Sequence, residues 1–364
     1  MTRMERMFFE LIQVALGSRD KLSRIPSAVL WGELYQEAER QAITGVLLHG
    51  IERLPKEQWP SLELKLQWIG DGELIRAQNR HVDEQTAMVW RQLKEAGLGA
   101  AVLKGQGVAC EYGELASLRQ SGDIDIWVKG GYQKVYDYIQ NTAPTDDVAY
   151  HRFHYPIFED TEVELHFRPT LMRNLFDDRK LARWYESFGA ESFVFLREKG
   201  FAVPSTEFNR IFLLTHIYRH FLFEGVGLRQ VMDLYFVLKN STTDGMDLTD
   251  EWRMLKAFRL TRFAEAMMWL LHTQFGLEEE KLMACGIDEK EGRFLLDEIM
   301  LTGNFGYDDQ RYQYKRWFKL RHHLSHGAHL LMHYPSEVLW TPIWLVYHKI
   351  WKWRKKREIL RQRH

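Results

Sequence analysis

A short stretch of alternating apolar and charged residues interrupts a chain that otherwise has helical periodicity. Residues 123–128, Asp-Ile-Asp-Ile-Trp-Val, alternate strictly and are rich in residues that favour strands. An apolar run at 100–103 precedes them, and residues 161–167 alternate again. Helical segments are predicted between these strands, at 108–118 and 132–142. Three strands and two helices in so short a segment predict a small α/β core.

Helical periodicity dominates on both sides of this core. Apolar residues recur at helical spacing near the N-terminus, and a long helix is predicted over residues 74–96. The sequence therefore predicts a mostly helical α+β protein with a small mixed sheet. Its predicted parts are an N-terminal helical region (1–98), the α/β core (99–170) and a C-terminal helical region (171–364).

Composition limits the class of protein. The 364 residues are 45% hydrophobic and 27% charged, which is typical of a soluble globular chain. Cys110 and Cys285 are the only cysteines, too few for a disulfide framework. No stretch approaches the roughly 20 apolar residues of a membrane-spanning helix, and residues 1–17 lack the features of a signal peptide. We therefore expect a cytoplasmic protein without a transmembrane segment.

Asp123 and Asp125 are the sharpest functional feature. Residues two apart on a strand point to the same face, so the two carboxylates project together. Two neighbouring anions repel each other, and a hard divalent cation such as Mg²⁺ or Mn²⁺ relieves that repulsion. Glu164 on the last predicted strand offers a third carboxylate, and His166 shares its face. The alternative is an exposed edge strand whose charges face water.

The loop at Lys104-Gly105-Gln106 lies between the first predicted strand and a helix. Backbone N–H groups at such a position favour an anion, and phosphate beside two metal-binding aspartates indicates phosphoryl or nucleotidyl transfer. The alternative is a turn that merely requires glycine. The spacing of a P-loop is absent.

Together these motifs resemble the uncharacterised nucleotidyltransferase family, within the polymerase-β-like nucleotidyltransferase superfamily. The similarity extends over about residues 35–240 and is carried by residues 103–105, 118–128, 163–166, 214–216, His220 and 227–234.

The resemblance implies roles for individual residues. Asp123, Asp125 and Glu164 match the catalytic carboxylates that hold Mg²⁺ (or Mn²⁺) in the superfamily. Gly105 matches the glycine of a Gly-Ser turn that cradles the triphosphate, with Gln106 in place of the serine. Further candidates are Lys104 and Arg119 for the phosphates, and His166, His216, Arg229 and Asp233 for the substrate.

The function predicted from the sequence is transfer of a nucleoside monophosphate from a nucleoside triphosphate by a two-metal mechanism. The acceptor is a hydroxyl or phosphate on a small molecule, a sugar derivative, a protein or an RNA, including the case of an enzyme that modifies tRNA. The alternative is a non-catalytic module on the same fold that binds nucleotides or nucleic acids.

Two histidine patterns are better explained without metal. His216 and His220 share a helix face without a third ligand, which favours buried histidines at an interface over a metal site. A second stripe starts at His322 and His326 and continues through His329 and His333. A polar surface is favoured there over zinc binding or a pH-sensitive face.

The C-terminal segment is strongly basic. Residues 349–364 contain eight Lys/Arg and one Glu, a charge of +7, so the other 348 residues carry −8 of the total of −1. Trp344, Trp351 and Trp353 lie in or beside it. This combination predicts contact with RNA or with an anionic membrane surface. The alternative is a solvated terminal helix.

Overall fold

The described part of the chain contains thirteen α-helices, four 3₁₀ helices and six short strands. The computed structural model describes residues 1–242, 248–304 and 329–362. The helices are α1 (Arg3–Leu16), α2 (Ala28–Arg40), α3 (Thr44–Arg53), α4 (Leu62–Glu95), α5 (Gln106–Ala109), α6 (Gly131–Thr142), α7 (Leu175–Ser187), α8 (Thr206–Phe223), α9 (Leu228–Asn240), α10 (Leu248–Ala257), α11 (Thr261–Phe275), α12 (Glu289–Thr302) and α13 (Pro335–Gln362).

The strands form two small sheets. They are β1 (Ala100–Val102), β2 (Ile124–Val128), β3 (Arg152–His154), β4 (Val163–His166), β5 (Val194–Leu196) and β6 (Phe201–Val203). The first four form one sheet in the order β1-β2-β4-β3, in which β2 and β4 are parallel and both outer strands antiparallel. The last two form a hairpin. The predicted mostly helical α+β fold with a small mixed sheet is confirmed.

The four-stranded sheet separates two apolar cores. Ile126, Val128 and Leu165 point into the smaller core, which also contains Val82 of α4 and Ile139 of α6. Trp127 points the other way, into a large core built jointly by the N-terminal and C-terminal helices. Because side chains alternate along a strand, Asp125, two residues before Trp127, lies on this second face of the sheet, towards α8.

The structure also differs in detail from the predicted elements. The helix predicted over 74–96 begins already at Leu62 and ends just before Gly97, whose positive φ of 73° closes it. The helix predicted at 108–118 is a short α-helix followed by a 3₁₀ segment, Cys110–Leu118, kinked at Gly113. The strand β3 and the β5–β6 hairpin, which consist of three-residue strands, are absent from the prediction.

No helix among residues 1–242, 248–304 and 329–362 is both long and apolar enough to cross a membrane.

Candidate active site

Strand register brings the predicted carboxylates together. Asp125 of β2 pairs directly with Glu164 of β4, so the two side chains lie next to each other on the same face of the sheet. His166 follows two residues after Glu164 and joins that face. All three residues are buried, at 1%, 6% and 3% exposure. The strand-pair geometry thus builds a compact polar cluster in an otherwise apolar sheet.

His166 connects the two carboxylates. Its Nε2 lies 2.8 Å from Oδ1 of Asp125 and 3.3 Å from Oε2 of Glu164. Burial lowers the pKa of His166, but the hydrogen bonds to the two carboxylates outweigh burial and leave its pKa raised. Each of the three side chains offers a ligand atom, and these atoms lie within 4.8 Å of one another. The cluster therefore has the donor types and the spacing of a metal site.

The ammonium group of Lys104 occupies the other side of Asp125. Its Nζ lies 3.0 Å from Oδ2 of Asp125 and 3.4 Å from Oδ2 of Asp123. Burial lowers the pKa of Lys104, yet the surrounding carboxylates raise it more, so the group stays charged. Burial likewise raises the pKa of Asp125, and Lys104 and His166 together more than reverse this, so the pKa of the carboxyl is lowered. Lys104 thus bridges the two aspartates that the sequence singles out.

Asp123 and Glu164, the other two carboxylates of the site, differ in exposure and in their ion-pair partners. The side chain of Asp123 is 34% exposed and lies outside the buried three-residue cluster, although it shares Lys104 with Asp125. Glu164 accepts an ion pair from Arg152 of β3, with 2.6 Å between Nη1 and Oε1. Burial raises the pKa of Glu164. Sequence reasoning missed Arg152, because β3 has no alternating pattern to place it.

A cavity of about 690 Å³ opens onto this cluster. Its other wall comes from α8, where Phe208, Phe212, His216 and His220 repeat at a spacing of four and face the sheet. Phe208 stacks on Trp127, with ring centroids 5.0 Å apart, which fixes α8 against β2. The apolar half of this stripe is core, and the histidine half lines the cavity.

The cavity wall from α8 combines Arg219 and two histidines with Glu224 at the end of the helix, and Glu224 lies 2.6 Å from Nδ1 of His220. Burial lowers the pKa of both His216 and His220, so both are neutral near pH 7. Arg219 lines the same wall and pairs with Glu224, at 3.1 Å. Arg229 of α9 also lines the cavity and donates from Nη1 to the backbone carbonyl of Gln120. No motif in the sequence indicated Arg219.

The turn after β1 needs glycine at two positions. Gly105 has a φ of 59°, and a Cβ at Gly107 would lie 2.3 Å from the carbonyl oxygen of Val102, so only glycine lets α5 pack this closely on β1. The Gln106 side chain turns away from the cavity and donates to Asp83 of α4. The hypothesis that the Gln106 side chain contacts phosphate therefore finds no support in this geometry. Gly105 remains within reach of the site, next to Asp123.

Arg119 differs from its sequence-based interpretation as a phosphate contact. Its Nε and Nη2 each lie 2.7 Å from a carboxylate oxygen of Asp233, and Nη1 donates to the carbonyl of Gln120. Tyr112 donates to the same carboxylate, at 2.6 Å. All three guanidinium nitrogens are thus engaged in a buried network that fixes the segment before Asp123. Arg119 and Asp233 do not line the large cavity, but both line a smaller pocket next to Gly105 and Asp123.

The second histidine stripe lies apart from this cluster. His322 and His326 are outside the described residues. His329 and His333 lie 2.9 Å and 2.6 Å from separate acids of α12, Glu298 and Glu291. The two described histidines therefore pair individually with carboxylates.

Comparison with known proteins identifies the family. The model of the uncharacterised nucleotidyltransferase family matches residues 27–276, more than half of the chain. The chain belongs to this family. It is accordingly a nucleotidyltransferase, an enzyme that transfers phosphorus-containing groups. No curated protein and no solved structure shows a significant match to the chain.

The family match covers the elements that build the site. Residues 27–276 include the whole sheet, α8 and α9, and therefore every side chain placed around the cavity above. Helices α1, α12 and α13 lie mostly or wholly outside the match. Carboxylates and imidazoles are both common ligands of divalent metal ions in proteins. The chemistry of the donor set thus fits a nucleotidyltransferase that uses a divalent metal.

Proposed function

We propose that this nucleotidyltransferase moves a nucleoside monophosphate from a nucleoside triphosphate to a hydroxyl or phosphate acceptor. The acceptor oxygen attacks the α-phosphorus, the bond between the α- and β-phosphates breaks, and pyrophosphate leaves. The observation that carries the proposal is the buried Asp125–Glu164–His166 cluster on two paired strands, opening into a cavity with several cationic side chains. Asp125, Glu164 and His166 would hold a divalent metal ion, with Asp123 beside them at the cavity mouth. When bound, the ion neutralises the charge that develops on the phosphoryl oxygens.

The chain's own residues bind and orient the substrates. Lys104, Arg219 and Arg229 line the cavity and offer positive charge to a triphosphate. Glu164, whose pKa is raised by burial, is the candidate to accept the proton of an attacking hydroxyl. The neutral imidazoles of His216 and His220 form a less charged part of the wall, suited to a nucleoside or acceptor.

Several finer features belong to the same proposal. The enzyme uses two metal ions, which are Mg²⁺ or Mn²⁺. ATP is the proposed donor of the nucleoside monophosphate, and the cytoplasm is the proposed location. Asp123 and Asp125 would both face those ions, as the resemblance to the superfamily implies. The acceptor's chemical class follows from the assay below.

The test is label transfer from α-labelled nucleoside triphosphates. Wild-type protein is incubated with each nucleotide, with Mg²⁺ or Mn²⁺, and with pools of small molecules, RNA and protein as acceptors. We expect Asp125→Asn to reduce transfer at least a thousandfold, on the scale of losing a catalytic group. Asp137→Asn, which changes an exposed carboxylate on α6, is the matched control and should keep full activity. Full activity in a folded Asp125→Asn protein would refute the assignment.

A second candidate is a binding module that needs no metal. It is favoured by one observation, the Lys104 ammonium that already neutralises Asp123 and Asp125. In that case nucleotides would bind equally well with and without divalent metal, and no acceptor would be labelled. Binding that strengthens on adding metal, together with transfer, supports the enzyme instead.

A further inference from the structure

The last helix, α13, is held to the rest of the protein by one face. Trp351 packs edge-on against Tyr150, with ring centroids 5.2 Å apart, and Ile359 is fully buried in the smaller core. Lys356 pairs with Asp146 in the loop before β3, at 3.2 Å. These contacts fix which face of α13 is turned outwards.

The outward face carries a continuous apolar stripe. Six large apolar side chains follow one another at alternating spacings of three and four residues, with a gap of seven before the last, so they share one side of the helix. Each is at least half exposed: Leu339, Ile343, Val346, Ile350, Trp353 and Leu360. At a rise of about 1.5 Å per residue, the stripe is about 30 Å long. Exposed apolar surface of this extent marks an interaction site.

Positive charge surrounds the C-terminal half of this stripe. Lys349, Arg354, Arg357 and Arg361 are exposed and make no ion pair within the described part of the chain. The Arg357 guanidinium lies 4.6 Å from the centre of the Trp353 ring. The only acids of α13 are Glu337, which is buried, and Glu358, which pairs with Lys355 at 2.8 Å. The outward face is thus apolar and basic, with no unpaired acid.

We propose that the outward face of α13 binds an anionic lipid surface, with the helix lying in the plane of the interface. Aliphatic side chains suit the boundary between headgroups and acyl chains, tryptophan suits the headgroup level, and Lys and Arg attract acidic lipids. RNA would use the cations and Trp353 but has no use for Leu339, Ile343, Val346 and Ile350. Parallel pairing of two copies would bring the basic halves together, which like charges disfavour.

This inference is independent of the proposed chemistry. Helix α13 lies entirely beyond residue 276, where the family match ends, and contributes no residue to the cavity wall. A peripheral helix on the enzyme would keep it at the membrane whatever the acceptor is. Failure of the transfer assay would therefore leave the lipid-binding proposal intact, and the reverse also holds.

The test is co-sedimentation of the full chain with vesicles of phosphatidylcholine alone or with phosphatidylserine. We expect binding to the anionic vesicles that weakens at high salt. Arg354→Gln/Arg357→Gln should lower the affinity by roughly 25-fold, at roughly fivefold per cation near the surface. Ile343→Ser/Ile350→Ser should lower it by at least tenfold, even at low salt, because the buried apolar area is lost.

The matched control is Arg91→Gln/Lys94→Gln, two exposed cations three residues apart on α4, which should bind like the wild type. The changed side chains are all exposed, so circular dichroism should show an unchanged fold. Three outcomes would overturn the proposal. They are no binding to anionic vesicles, salt-sensitive RNA binding without vesicle binding, and a dimer in ultracentrifugation that Ile343→Ser/Ile350→Ser dissociates.

Discussion

Replacement of Lys104 by methionine tests whether the Lys104 ammonium and a divalent metal ion compete for the carboxylates of Asp123 and Asp125. The Lys104 ammonium lies where a divalent ion would approach Asp123 and Asp125, at 3.4 Å and 3.0 Å from their carboxylates. Methionine keeps the aliphatic length of the side chain and removes the charge. We expect Lys104→Met to destabilise the metal-free protein and to tighten binding of Mn²⁺, because the ion no longer has to displace a cation.

The magnitude follows from the two distances. At an effective dielectric constant of about 20, charges 3.0 Å and 3.4 Å apart attract by about 5 kcal/mol each. The desolvation of a largely buried lysine opposes this attraction, so losing it should lower the free energy of unfolding by about 3 kcal/mol. If Mn²⁺ binding restores half or more of this lost free energy in Lys104→Met, Mn²⁺ binds roughly tenfold to a hundredfold tighter to the variant than to the wild type.

Thermal unfolding with increasing MnCl₂ measures both quantities. Without metal, Lys104→Met should melt lower than the wild type, and its melting temperature should rise at lower Mn²⁺ concentrations. Lys199→Met is the matched control, since Lys199 also pairs with an aspartate, Asp83, but does not line the cavity. Equal sensitivity of wild type and Lys104→Met to Mn²⁺ would refute the view that lysine and metal compete for the same carboxylates.

Two further predictions concern buried charges away from the metal ligands. Arg119→Ala should lower the free energy of unfolding by about 3–5 kcal/mol, because Asp233 stays buried without a cation, with only Tyr112 as a partner. Arg293→Ala on the exposed α12 surface should lower it by under about 1 kcal/mol, and urea denaturation measures both values. Equal losses would contradict this. Burial raises the pKa of Glu337 to about 7 from its usual 4.5. Its contribution to stability is therefore full below pH 4.5 and is lost as pH rises to 7, by about 3 kcal/mol, and Glu337→Gln should flatten that slope. An unchanged slope in Glu337→Gln would show that other groups cause it.

The sequence predicted the parts of the site that depend on strand periodicity. Alternation along residues 123–128 placed Asp123 and Asp125 on one face, and Glu164 and His166 were placed together for the same reason. Strand pairing then brings Asp125 beside Glu164, as the family resemblance implied. These relations are local or follow from one pairing, so short-range patterns suffice to predict them.

Contacts between segments that are distant in the sequence could not be predicted from local periodicity. Arg119 was interpreted as a phosphate ligand, whereas it binds Asp233, which lies 114 residues further along the chain. The bridge from Lys104 to both aspartates depends on the conformation of the Gly105 turn, and periodicity does not report a turn's geometry. Arg152 was not predicted as a site residue, and it lies on β3, a strand of only three residues.

The charges around the cavity predict that the proposed metal ion and nucleotide would bind together. Asp125 pairs with Lys104, Glu164 pairs with Arg152, and the His166 ring contacts both carboxylates, so the metal-free cluster is already paired. A divalent ion entering this cluster must release at least one of those cations from its carboxylate. A released lysine or arginine in a partly closed cavity needs a new anion, and a triphosphate supplies it. If metal and nucleotide both bind as proposed, each ligand would create the charge that the other requires, and by linkage each would raise the affinity of the other by the same factor. In the proposed enzyme, the basic side chains beside the carboxylates would therefore make the site favour a metal–nucleotide pair over either ligand alone.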